Sequence, residues 1–344
     1  MEKVRRLLSI LLVVAMLFSL VACGNSGDNG DGTDGENGDN GNEVEPVVLK
    51  FNSVKAATDP ENDRWEDFFD RISTESSGTV ETEMYYSESL GKTVDMIEAI
   101  SQGAPILQDC DTTHLSDYVP DFSIFMHPYL FESPEQIKQL WKSEVGQRMV
   151  SDLEEEGLHL VTLVYFGTRH LISNSEVVTR DDTKDLLIRC APTKMWNQVA
   201  LTLGGNPTNT AWSEVYNALS QGVADAAESP LSLLYTAKLY EPCKNISLTG
   251  HLIASTAIVM SQDVYESLDP AAQAAIDKLG AEEPDVAIQA VQSLEGDYRA
   301  KLEAEGVKFN EVERDAFVES SKKVSSEFPE WTPGLYDSVM EALN

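Results

Sequence analysis

Residues 158–166, Leu158-His-Leu-Val-Thr-Leu-Val-Tyr-Phe166, place apolar side chains on both faces of any strand they form. A strand with two apolar faces must be covered on both, so it belongs in the middle of a sheet packed between helices. Residues 185–190 repeat the pattern in shorter form. Between such runs the apolar period changes to that of a helix, as in Trp65, Phe68, Phe69 and Ile72 within 61–76. Strands are expected at 47–54, 79–86, 158–166, 185–190, 252–260 and 307–310. Helices are expected at 61–76, around 94–100, and at 134–157, 195–203 and 213–222, the last with Ser213 as its N-cap. A long helical region covers 270–305, with Pro284 bending or dividing it. This alternation implies an α/β fold with largely parallel sheets.

The length, 344 residues, suggests two domains. Acidic residues outnumber basic ones 58 to 25, a formal net charge of −33. That argues against a nucleic-acid binder and against docking onto anionic lipid heads, both of which need basic surface. An acidic exterior does not forbid an anionic ligand, because local arginines can decide a cavity.

Residues 1–22 have the form of a secretory signal peptide: Lys3, Arg5 and Arg6, then an apolar run from Leu7 to Val21 that is short for a permanent span. The run closes on Leu20-Val21-Ala22-Cys23-Gly24, which resembles a bacterial lipoprotein box with Cys23 as the lipidated residue. Residues 23–46 are then an acidic Gly/Asn/Asp linker, too poor in apolar residues to offset the entropy of ordering. Cys110, Cys190 and Cys243 remain; three is odd, so at least one thiol is unpaired within the chain. No CxxC pair, HExxH, G-x-S-x-G or P-loop occurs, so no cofactor, metal or catalytic constellation is expected.

The most specific signal lies in 165–251. It runs Tyr165-Phe-Gly-Thr-Arg169, Leu187-Ile-Arg189-Cys-Ala-Pro192, Leu203-Gly-Gly-Asn-Pro207, Trp212-Ser-Glu-Val-Tyr216, Glu228-Ser-Pro230 and Ser247-Leu-Thr-Gly-His251. This series resembles the solute-binding subunit of TRAP transporters, the DctP family, across about 47–344. The resemblance implies a two-lobed periplasmic-binding-protein-like fold of type II, with a hinge and a long helix spanning both lobes. By the family's plan lobe I is 47–166 plus 255–294 and lobe II is 167–254 plus 295–344.

The resemblance also assigns site residues. Arg189 matches the arginine that pairs with the ligand's carboxylate, a planar fork suited to two parallel hydrogen bonds. Arg169, just after strand 158–166, matches a supporting arginine. Trp212 matches an aromatic that packs on the ligand's carbon skeleton, and Asn209 is a nearby polar candidate. Ser229 stands where the family often has a side-chain amide, which weakly favours a larger or hydroxylated acid. From the first lobe, Asp111 and Lys92 are candidates, whereas Glu228 reads as a residue that holds its loop. Two arginines facing one anion imply an empty site that is open and wet.

The expected function is capture of a small organic acid by an extracytoplasmic, lipid-anchored, monomeric binding protein and its delivery to TRAP permease subunits. Dicarboxylates, 2-oxo acids, sialic acid and sugar acids all fall within the resemblance. The alternatives are a ligand-binding input for a membrane sensor, which the same fold can serve, and an exported hydrolase, which lacks a visible nucleophile–base pair.

Overall fold

The computed structural model describes residues 45–59 and 61–344. The signal peptide, Cys23 and most of the linker therefore lie outside the described residues. No helix among the described residues is long and apolar enough to cross a membrane.

Nine strands form one mixed sheet. In chain order the first elements are β1 (Val47–Asn52), α1 (Glu61–Glu75), β2 (Val80–Tyr85), α2 (Thr93–Ser101), β3 (Ile106–Cys110), α3 (Glu135–Lys142), α4 (Glu144–Glu155) and β4 (Leu158–Ser173). Then come β5 (Leu187–Cys190), α5 (Lys194–Leu203), β6 (Asn206–Asn209), α6 (Val215–Ser220), β7 (Ala226–Pro230), α7 (Leu231–Thr236) and β8 (Asn245–Ser261). The chain ends with α8 (Gln262–Ser267), α9 (Pro270–Ala304), β9 (Lys308–Asn310), α10 (Arg314–Ser321) and α11 (Leu335–Leu343). The strand order is β2-β1-β3-β8-β4-β7-β5-β6, with β9 on β8. Five of the eight pairings are parallel; the three antiparallel ones all involve β4 or β8.

Those two strands hold the two lobes together. Leu158 to Tyr165 of β4 runs beside Ser261 to Ser255 of β8, next to β3; Gly167 to Ser173 runs beside Ala254 to Asn245, next to β7. The strand expected at 158–166 thus continues seven residues further, so Arg169 lies inside it rather than after it. A register shift falls between Tyr165 and Gly167. Gly167 has φ +124°, and a Cβ there would sit 2.8 Å from the Pro230 Cβ, so only glycine fits this bulge.

Each lobe has its own apolar core. Leu49, Phe51, Trp65, Phe68 and Ile72 pack with Ile276 and Leu279 on one side; Ile172, Val215, Leu234 and Ile246 pack with Tyr298 and Leu302 on the other. The last two residues of each set belong to α9, which is 35 residues and about 50 Å long, so this helix spans both lobes. Pro284 does not divide it. A proline leaves the carbonyl four residues back without its helical donor; here that carbonyl, on Gly280, accepts from Thr162 Oγ1 of β4 at 2.8 Å. Gly280 packs so closely on the strand that a Cβ would lie 2.0 Å from the Val161 carbonyl.

Other expectations need correction. The helix at 134–157 is two helices, parted at Ser143, whose Oγ accepts from the Gly146 amide at 3.2 Å. Ser213 caps no helix; it sits within a 3-10 turn, Trp212–Glu214, ahead of α6. Assignment of all of 295–344 to lobe II does not describe α11, which packs on α3 and α4, while Trp331 Nε1 donates to Ser123 Oγ at 2.8 Å.

Candidate functional site

The carboxyl ends of β1, β3, β5 and β6 open on one crevice, the position where open α/β sheets bind ligands. A cavity of about 320 Å³ occupies it, at the small end of the range for ligand sites. Its two walls come from the two lobes.

The lobe II wall is built on strands. Arg189, the third residue of β5, is 4 % exposed. Its Nε donates to Thr210 Oγ1 at 3.2 Å and its Nη2 to the Thr210 carbonyl at 2.5 Å. The Nη1 group makes no hydrogen bond among the described residues, and the Trp212 ring centre lies 5.5 Å from the guanidinium. Burial lowers the Arg189 pKa to about 10, against the opposing charge of Glu228, which leaves it protonated at neutral pH.

Arg169 is held differently. The bulge at Gly167 turns it toward β7, where Nε meets Glu228 Oε2 at 2.5 Å and Nη2 meets Oε1 at 2.8 Å. Its other face lies 4.6 Å from the Trp196 ring. His251 Nε2 is 3.2 Å from Glu228 Oε2, and its Nδ1 is 2.8 Å from Thr249 Oγ1. The carboxylate can only accept, so Nε2 carries the proton and Nδ1 receives the threonine hydroxyl. Burial works against ionisation of Glu228, but the Arg169 charge and the His251 hydrogen bond overcome it and hold the carboxyl at about 2. The expectation of two arginines awaiting one anion is thereby corrected: Arg169 is neutralised within the protein, both arginines are buried, and Arg189 carries the surplus charge of this wall.

The lobe I wall is built on the end of β3 and on the loops that follow β1 and β2. Asp109, at the end of β3, is 1 % exposed; its Oδ1 accepts from the Val54 amide at 3.1 Å and its Oδ2 from Ser53 Oγ at 3.0 Å. Burial raises its pKa to about 6, although the Lys55 charge opposes this. Glu88 accepts at Oε1 from the Thr93 amide and hydroxyl, and at Oε2 from the Ser213 amide of the other lobe at 3.2 Å. Lys92 reaches across the mouth to Glu214 at 3.2 Å.

Six of the seven residues singled out from sequence line the cavity: Arg189, Arg169, Trp212, Asp111, Asn209 and Lys92. Ser229 does not. It is fully buried, and β7 alternation turns it away from the face that carries Glu228. Asp111 reaches the cavity, yet its oxygens are taken. Oδ1 accepts from the Thr113 amide and hydroxyl; Oδ2 accepts from Trp196 Nε1 at 3.1 Å and lies 3.1 Å from His114 Nδ1. Burial opposes its ionisation, but His114 and these donors outweigh it and hold the carboxyl below the usual range. Asp111 therefore positions Trp196 more than it offers itself to a ligand. Asn209 donates to the Ala191 carbonyl at 3.0 Å and to Asn197 Oδ1 at 2.9 Å, so its own carbonyl is the end left for a ligand. Sequence reasoning missed Asp109, Glu88, His114, Trp196 and Thr210, and it gave Glu228 a role outside the site. Cys110, Cys190 and Cys243 are free and buried; burial pushes the Cys190 thiol up to about 12 despite the neighbouring Arg189. No cluster of metal-ligating side chains occurs among the described residues.

Residues 51–330 match the family described as bacterial extracellular solute-binding protein, family 7, or DctP. The chain belongs to this family. Among its relatives is the C4-dicarboxylate-binding periplasmic protein DctP of Rhodobacter capsulatus, 28% identical over 83% of this chain and 87% of that one. Two solved TRAP periplasmic solute-binding proteins share the fold. One, from Fusobacterium nucleatum with bound sn-glycerol-3-phosphate, has a TM-score of 0.82 and 29% identity, covering 86% of this chain and 96% of that one. The other, from Actinobacillus succinogenes with bound L-galactonate, has a TM-score of 0.83 and 28% identity, covering 86% and 99%. The chain is thus an extracytoplasmic solute-binding protein of the TRAP type, a binding protein rather than an enzyme.

Proposed function

We propose that this protein captures a small organic acid in the cavity between its lobes, with the acid group paired to Arg189, and delivers it to TRAP permease subunits. The observation that carries the reading is the Arg189 guanidinium: buried, protonated, fixed on Thr210, and left with an Nη1 edge that no group among the described residues uses. A buried charge without a partner costs on the order of 3–5 kcal/mol, so an anion at this point is strongly favoured. The relatives' ligands support the class: a C4-dicarboxylate, a sugar acid and a glycerol phosphate each present an oxyanion to their protein. Charge-assisted hydrogen bonds contribute about 1.5–3 kcal/mol each, and a few of them with contact to Trp212 reach roughly −8 kcal/mol, micromolar affinity.

In this reading Cys23 is lipidated and residues 23–46 are the leash that keeps a monomer at the membrane. Residues 47–166 with 255–294 form one lobe and 167–254 with the residues after 294 the other, with α11 returning to the first. A thermal-shift screen of organic acids on the protein lacking residues 1–46, followed by calorimetry, tests the capture. No acid raising the melting temperature, or equal binding by Arg189→Lys, would remove the reading. Metabolic labelling with a fatty acid tests the anchor: label is expected on wild type and absent from Cys23→Ala.

A further inference from the structure

We infer that Asp109 and Glu88 decide which acids this cavity accepts: a ligand with one anionic group at Arg189 and hydroxyl donors at its far end, with a second carboxylate refused. The inference rests on the carboxylate reading of Arg189 and goes beyond it by assigning the opposite wall.

The charges lining the cavity are segregated. Around Arg189 lie Glu228, Arg169 and Asp111; around Asp109 lie Lys55 and Glu88, with His114 between Asp111 and Glu88. At the Asp109 end the nearby cationic side chains, Lys55, Lys92 and His114, already have partners, His114 Nδ1 lying 3.1 Å from Asp111 Oδ2. Lys55 is fully buried, with Nζ 2.8 Å from Glu61 Oε2 and 4.7 Å from the Phe166 ring centre. Lys92 is exposed at the mouth and paired with Glu214. A ligand carboxylate arriving there would face two carboxylates with no free cation among the described residues. A hydroxyl would not. The Asp109 carboxylate has about four acceptor positions and uses two strongly, on Val54 and Ser53, so it can still accept from a donor in the cavity. Glu88 holds the same loop to Thr93 and the far lobe to Ser213, so its charge is fixed in place when the cavity is closed. Discrimination by a misplaced like charge is the common way to reject a near-isostere.

A matched pair of probes tests this: a six-carbon aldonate and the aldarate of the same chain, which differ only in a terminal hydroxymethyl or carboxylate. Calorimetry at about pH 8, above the raised Asp109 value, keeps that carboxylate ionised. Wild type is expected to bind the aldonate about a hundredfold or more tighter than the aldarate, the scale of a like-charge encounter. Asp109→Asn, which keeps the shape and loses the charge, is expected to narrow that ratio about tenfold or more, mostly by strengthening aldarate binding. Glu88→Gln should narrow it in the same sense, and it serves if Asp109→Asn folds poorly. Glu81→Gln, exposed on β2 outside the cavity, controls for net charge and should leave the ratio unchanged. The assignment is overturned if wild type binds the aldarate as tightly while binding still depends on Arg189, if neither cavity variant moves the ratio, or if Glu81→Gln moves it equally. Absence of binding by either probe while another acid raises the melting temperature overturns this assignment and leaves the carboxylate reading standing; no acid binding at all overturns both.

Discussion

The two walls of the cavity differ in what holds them. On the lobe II side the charged groups rise from β4, β5 and β7, and they are locked by one another: Arg169 on Glu228, Glu228 on His251, Arg189 on Thr210. On the lobe I side Asp109 sits at the end of β3, while Glu88 and Lys92 sit on the loop after β2, and part of what fixes that loop is the other lobe, through Glu88 to Ser213 and Lys92 to Glu214. One wall is preorganised; the other is completed when the lobes meet. Preorganised charge gives affinity because little ordering is left to do on binding, whereas a wall assembled on closure governs which ligands permit closure.

The comparison breaks first at Glu228. Glu228→Gln should leave Arg169 buried without its counter-charge and lower stability by about 3–5 kcal/mol, read from urea unfolding of the ligand-free protein. An effect below about 1 kcal/mol would mean that this wall is not locked as described. Arg189→Lys comes next. It replaces a fork by a point charge, and loss of one charge-assisted bond weakens ligand binding by about ten- to a hundredfold, or 1.5–3 kcal/mol. Because Arg189 is buried and donates to Thr210, the ligand-free variant should also be less stable than wild type, contrary to what an open, wet site implied.

A pH series sharpens the junction between the walls. Burial tends to lower the His114 pKa, but Asp111 beside it outweighs this and raises it, while Asp111 itself is held low. A raised histidine pKa stabilises the fold below its unfolded value of about 6.5, and that contribution is lost as pH rises through the folded value. The depressed Asp111 contributes above its unfolded value of about 3.9 and loses that contribution in acid. Wild type should therefore lose more stability than His114→Asn between about pH 6 and 8.5 in urea unfolding; parallel curves would show the pair to be unimportant. The smallest effect belongs to the mouth. Lys92 and Glu214 are both more than half exposed, so Lys92→Ala should change stability by less than about 1 kcal/mol, and the change should vanish in high salt.

Much of this was legible from sequence because it depends on local patterns. Two-faced apolar runs located β4 and β5, and the motif around Arg189 located the cavity wall on the lobe II side. The lobe I wall was only partly legible: Asp111 and Lys92 were singled out and line the cavity, but Ser53, Glu88 and Asp109 are brought together by strand order, which no local pattern encodes. The Arg169–Glu228 pair was missed for the same reason: β4 and β7 are neighbours in the sheet but 59 residues apart at this contact. Ser229 is a different case. Adjacent residues of a strand face opposite ways, so Glu228 and Ser229 cannot both line one cavity, and that parity could have been read from the sequence.

The bond between Thr162 and the Gly280 carbonyl has a mechanical consequence. A smooth helix lying on a sheet can slide or roll as domains move. Here the proline that removes one donor from α9 is also what gives the sheet a grip on it, and the bare Gly280 surface seats the two backbones against each other. The helix is thereby indexed to β4 at Thr162, and a second hold lies further along it, where Glu295 Oε1 accepts from the Tyr165 hydroxyl at 2.8 Å and the Thr168 amide at 3.2 Å. The two bonds to Glu295 fall on either side of Gly167, so the helix braces the bulged stretch of β4 that leads into Arg169, and the brace of the body and the seat of that arginine share one segment of chain.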